Sequence, residues 1–165
     1  MNRFTFFICI TITCTATPAA AATTSLCTSG EAEIFNATLK GTGEIVSVCA
    51  NSTDKAKWLQ FRMGEAGKVE MIFPKKHSGS LKKFVLRRYT RPQTTYLKLE
   101  FDDNGKNYAI FESFDAMESP REASSLRIRS LADGHDISET DLERTSEPLN
   151  LMRLEDQVKT GEFDE

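Results

Sequence analysis

Glu112, Asp115 and Glu118 are the residues whose type and spacing come nearest to a reaction centre. Two carboxylates flanking a glycosidic bond supply a general acid and a base or nucleophile. This cluster is therefore the chain's route to a small enzyme acting on cell-wall glycan. In a chain with 24 acidic residues such a group also arises by chance. His77-Ser78-Gly79-Ser80 sets a histidine beside serines, but a nucleophilic serine needs its histidine placed across space with an orienting acid, and there is no G-x-S-x-G elbow. Only His77 and His135 are present as imidazole ligands, far apart in sequence. Glu100-x-Asp102-x-Asn104-Gly105 echoes a calcium loop, yet Phe111 occupies the twelfth position, where a bidentate glutamate is needed. The residues thus predict no catalytic centre, no metal and no cofactor.

Charge is distributed unevenly. Lys75, Lys76, Lys82, Lys83, Arg87, Arg88 and Arg91 fall in one stretch without a carboxylate, whereas positions 133–165 carry eleven carboxylates against Arg144, Arg153 and Lys159. A positive edge suits an acidic partner, either an envelope protein or a cell-wall polymer. Lys82, Lys83, Arg87 and Arg88 are the candidate binding residues, with Trp58 as an aromatic anchor. The plainer reading is that the basic strand and the acidic tail neutralise each other, or that a charged edge strand blocks edge-to-edge aggregation. Export and the lack of an aromatic-basic recognition motif argue against nucleic acid.

Export itself is read from Met1–Ala22. One basic residue, Arg3, precedes the apolar run Phe4–Ile12, and Ala20-Ala21-Ala22 forms an A-x-A cleavage site. The run is too short for a membrane span, which needs about 20 residues. Cleavage after Ala22 leaves a domain over 23–158 and a flexible acidic tail over 159–165, in the periplasm or secreted. No later stretch is long and apolar enough to cross a membrane. Cys27 and Cys49 remain of the four cysteines, lack C-x-x-C spacing, and are expected to form one disulfide. Asn36-Ala37-Thr38 and Asn51-Ser52-Thr53 fit the glycosylation pattern.

These residues need elements to hold them. Trp58–Met63 alternates, with Leu59, Phe61 and Met63 on one side, and Lys68–Phe73 returns after Glu65-Ala66-Gly67. Tyr96–Phe101 and Asn107–Glu112 flank a reversal at Asn104-Gly105, a pair that tolerates positive φ. Ala32–Leu39, Glu44–Ala50, Leu81–Tyr89 and Ser125–Ser130 are further strands. Turn residues about every ten positions predict an all-β sandwich or partly closed barrel of antiparallel strands. Leu149, Met152, Leu154 and Val158 predict one short helix in the acidic region, starting near Ser146-Glu147-Pro148, with Thr160–Glu165 fraying. Trp58, Phe61, Phe73, Tyr108 and Phe111 are assigned to the core, with Trp58 opposite the main apolar face of its strand, where exposure would make it a binding anchor.

The order Val46-Ser47-Val48-Cys49-Ala50, Trp58-Leu59-Gln60-Phe61-Arg62-Met63-Gly64, Gly67–Pro74 and Phe101–Phe111 resembles a family of small exported bacterial proteins of unassigned activity. Its pattern reads vSvCa, WLQYRFG, GkpElvFP and a later NGgYxYvvf hairpin. Residues 27–130 carry the likeness. Family members often hold two further cysteines near the positions of Ala37 and Asp141; loss of both here implies loss of one disulfide and retention of Cys27–Cys49. The resemblance implies a β-rich exported protein and supplies no catalytic residues. The Ser-Gly loop at 78–79 is also similar to short loops by which exported lysozyme inhibitors plug an active cleft. The expected function is binding or modulating an envelope macromolecule, for instance inhibiting a hydrolase. A small glycan-cleaving enzyme and a structural envelope component are the alternatives.

Overall fold

The computed structural model describes residues 25–163. Met1–Ala22, read above as a signal peptide, and the cleavage site expected after Ala22 lie outside the described residues. Ten strands form one sheet: β1 Ala32–Leu39, β2 Ile45–Ala50, β3 Leu59–Glu65, β4 Lys68–Phe73, β5 Val85–Arg91, β6 Thr94–Asp103, β7 Lys106–Asp115, β8 Glu122–Ser130, β9 Asp136–Arg144 and β10 Lys159–Glu162. Their order is β10-β5-β6-β7-β8-β9-β1-β2-β3-β4, antiparallel throughout except β10, which runs parallel to β5. The β6–β7 reversal is the two-residue turn expected, with φ of 49° at Asn104 and 75° at Gly105. Gly64 sits at φ 152° where the β3–β4 register shifts, and a Cβ there would lie 2.4 Å from the Lys68 carbonyl oxygen. Only glycine fits.

The sheet curls into a half-barrel rather than splitting into two layers. Alternate residues turn inward: Phe35, Ala37 and Leu39; Val46 and Val48; Leu59 and Phe61; Leu97, Leu99 and Phe101; Tyr108 and Ile110. Aromatic rings close the curl, since Phe73 of β4 stacks on Phe101 of β6 at 4.3 Å, and Phe101 meets Phe61 at 4.9 Å and Tyr108 at 5.1 Å. β4 ends the sheet on one side, yet it faces β6 near the other end across the core. Leu151, Leu154 and Val158 fill the concavity from the tail.

The short C-terminal helix is a 3₁₀ turn, Asn150–Leu154, that begins after Leu149 at φ 57°. Upstream, Asp136–Arg144 is a strand that pairs with both β8 and β1. The polar sequence of β9 hid its alternation, because only Leu142 in that strand is fully buried. Lys159–Glu162 does not fray but forms β10 on β5. β5 is consequently not an edge strand, and Leu81–Tyr89 divides into a 3₁₀ turn, Ser80–Lys83, followed by β5. Among the described residues no helix is long and apolar enough to cross a membrane.

Candidate binding surface on the outer face

Side chains of β5–β9 that point away from the core form rows fixed by strand register. One row runs Arg87, Lys98, Phe111, Ser125, Asp141; the next runs Val85, Glu100, Ala109, Arg127, Glu139. Asp102, Asn107 and Arg129 follow. Ala109 places a single methyl group among long side chains, and a basin of about 410 Å³ opens there, with Lys83 and Leu131 completing its walls. Five basic side chains and two carboxylates line it.

The charges are held in place. Glu100 accepts from Arg87 Nε at 2.5 Å and lies 3.7 Å from Lys98 Nζ. Lys98 is buried on this outer face, its ammonium 5.7 Å from the Phe111 ring centre and 5.4 Å from that of Phe163 in the tail. The Arg127 guanidinium lies 4.6 Å from the Phe111 centroid and donates through Nε to Glu139 at 3.2 Å. Arg129 donates to Asp136 at 2.9 Å, and Asn107 to Asp102 at 2.8 Å. Cation–π and ion-pair contacts of this kind fix direction more than they add stability.

The sequence-predicted binding residues do not form one patch. Lys83 and Arg87 line the basin, and Lys82 is exposed on the neighbouring 3₁₀ turn. Arg88, one residue from Arg87, points to the other face of β5 and meets both carboxylate oxygens of Glu155, at 2.5 and 2.6 Å. Arg87 also donates to the Glu162 carbonyl at 2.8 Å and lies over Gly161, where a Cβ would come within 3.2 Å of its guanidinium. The basic strand and acidic tail thus neutralise each other in part. Trp58 is half-buried and stacks on His77 at 3.9 Å, rings within 2° of parallel, so His77 covers one of its faces.

The acids at the end of β7 lie apart. Three positions separate Glu112 from Asp115, which puts them on opposite faces of a continuously paired strand. Glu112 faces the core, accepting from Arg144 at 3.0 Å and from the Leu151 N–H at 2.9 Å. Burial raises its pKa despite both bonds. Asp115 accepts from the Met117 N–H, Thr94 and Tyr96; these bonds, the Met117 N–H foremost, outweigh burial and hold its pKa low. Neither is placed to share a bond with the other. His135 bonds Asp133 while His77 stacks on Trp58, and Glu100 and Asp102 have the partners already named rather than a common centre.

Over β1–β3 the outer face is covered. Cys27 and Cys49 form the expected disulfide, with Cα atoms 5.5 Å apart. Arg62 clamps the segment before β1 by two bonds to Glu31, at 2.7 and 2.8 Å, and one to the Leu26 carbonyl. Asn36 is buried beneath this layer, bonded to Ser47 and Thr145, while Asn51 is exposed and accepts from the Lys57 and Trp58 N–H groups. Of the two glycosylation patterns, only the second has an accessible asparagine.

Lys98, Ala109, Phe111, Arg127 and Arg129 were not among the predicted site residues, and Phe111 lies on the outer face rather than in the core. Period-two alternation from Tyr96 to Phe101 and across Leu126-Arg127-Ile128-Arg129 carried that signal. No protein family, no curated protein and no solved structure matches this chain.

Proposed function

We propose that this chain is an exported, non-catalytic protein that binds an acidic macromolecule of the bacterial envelope through the outer face of β5–β8, for instance to neutralise a hydrolase. The observation that carries this reading is the basin over Ala109, with five basic side chains converging on it. Met1–Ala22 and the Cys27–Cys49 bridge support the compartment. A cationic concavity raises the local concentration of anions and speeds encounter, by about tenfold or more at low salt.

The test is capture from envelope extract on the mature protein, followed by association kinetics with the captured partner. Lys82→Gln/Lys83→Gln removes two exposed cations and is expected to slow association about threefold to tenfold at low salt and to flatten its salt dependence. Unchanged association at both low and high salt would overturn the proposal.

A further inference from the structure

We propose that the basin over Ala109 seats one acidic sugar unit of an anionic polysaccharide. The inference rests on the binding function proposed above and names its ligand. Its starting point is the chemistry of the lining, which is mixed rather than simply basic. Lys83, Arg127 and Arg129 stand beside Asp102 and Glu100, Asn107 adds an amide, and Val85, Ala109 and Phe111 supply the apolar surface.

A free phosphate leaves the apolar surface unused, and an acidic peptide offers the acceptors Glu100, Asp102 and Asn107 one backbone N–H per residue, where a sugar ring offers several hydroxyls. A uronic acid uses every part. Its carboxylate is matched by the guanidinium groups, whose planar fork suits a carboxylate, and by the point charge of the Lys83 ammonium. Its hydroxyls donate to Glu100, Asp102 and Asn107, whose oxygens each keep acceptor capacity beyond the bonds they already make. Its C–H face meets the apolar surface that Val85, Leu131 and the uncovered edge of Phe111 give the basin, above the buried Ala109 methyl. At about 410 Å³ the basin is in the small-ligand range of about 300–1,000 Å³, room for one sugar unit, and it is open outward.

Asp102 makes the proposal testable, because it is exposed and removing it has opposite consequences for the two kinds of ligand. Asp102→Ala deletes a repulsive charge and strengthens binding of any ligand held by charge alone, but deletes a hydroxyl acceptor for a sugar. Binding of tetragalacturonate, its neutral galactose counterpart, tetraglutamate and inorganic phosphate is measured by titration calorimetry at low salt. Tetragalacturonate is expected to bind at least tenfold tighter than each of the others. Asp102→Ala should weaken tetragalacturonate about threefold or more while strengthening tetraglutamate. Ala109→Leu fills the basin and should abolish tetragalacturonate binding with the far-ultraviolet spectrum unchanged; if that variant does not fold, Asp102→Ala decides alone. Tetraglutamate or phosphate binding as tightly as tetragalacturonate, or Asp102→Ala strengthening both oligomers, overturns the sugar assignment. If envelope extract still yields a partner whose association depends on Lys82 and Lys83, the binding function stands and only its ligand changes. No binding of any probe and no captured partner removes both.

Discussion

Replacing Arg62 tests whether the layer over β1–β3 is built as a clamp. The side chain is 7% exposed and makes two bonds to Glu31, one to the Leu26 carbonyl and two to Gln60 Oε1. Arg62→Met keeps most of the volume but strands a carboxylate and two oxygens. Removing one partner of a buried pair costs about 3–5 kcal/mol. Glu31, 13% exposed on a surface segment, can turn toward water, which argues for the lower end, about 3 kcal/mol. Glu31→Gln leaves Arg62 bonded to Leu26 and Gln60, so about 1–2 kcal/mol is expected. The double variant should lose no more than Arg62→Met alone, because the two changes remove one interaction. Urea unfolding with the disulfide intact measures all three, read as midpoints at unchanged slope. Acid provides a second readout. Burial raises the pKa of Glu31, but bonds from Arg62 and the Thr28 N–H and the Arg62 charge outweigh it and hold the group below 4.5. A lowered carboxylate pKa contributes stability above the unfolded value that is lost as pH falls below it. The decline below pH 4.5 should flatten in Arg62→Met. A loss under about 1 kcal/mol, or additive single variants, would refute the clamp.

Two further outcomes separate structural from binding charges. Arg87→Gln should destabilise by about 1–2 kcal/mol, less than a fully buried pair because Arg87 is 27% exposed, and should speed proteolysis of β10; Lys82→Gln/Lys83→Gln should stay within about 0.5 kcal/mol of the parent by the same urea assay. Glu112→Ala leaves the Leu151 N–H and part of Arg144 without an acceptor and should cost about 3 kcal/mol. Glu112→Gln keeps an acceptor, and Arg144 retains Glu122, so a midpoint loss half as large or less is expected.

How much was legible depends on which residues carried the pattern. Hairpins β3–β4 and β6–β7 were visible because Leu59, Phe61, Leu97, Leu99, Tyr108 and Ile110 alternate cleanly and Asn104-Gly105 fixes the reversal. β9 was not, because one of its faces meets solvent and Asp136–Arg144 offers few apolar residues to mark the other. The tail was misassigned for a related reason. Leu151, Leu154 and Val158 fill the mouth of the curl, where spacing follows the shape of the cavity rather than a helical period. The disulfide could be inferred from cysteine count and compartment. The basin could not, because a short side chain such as Ala109 becomes a floor only when register sets Glu100 and Arg127 beside it.

The two halves of the outer face explain why sequence position alone misled the choice of charged residues. Over β1–β3, Asn36, Ser47, Gln60 and Arg62 are buried, and every one is bonded beneath the segment that Cys27 ties to Cys49. A charge in that layer specifies how the segment sits and is spent on its partners. Over β5–β8 no segment among the described residues covers the basin, and the described part of the tail reaches it only at its edge, through Arg87 and Lys98. Charged residues of the same type therefore differ in role by what lies above them. Arg62 and Arg88 answer carboxylates of their own chain, whereas Lys83 stands at the rim of a basin lined by five cations and two acids. Neutralising four neighbours in sequence would mix these roles. Changing Lys82 and Lys83 apart from Arg87 and Arg88 separates them.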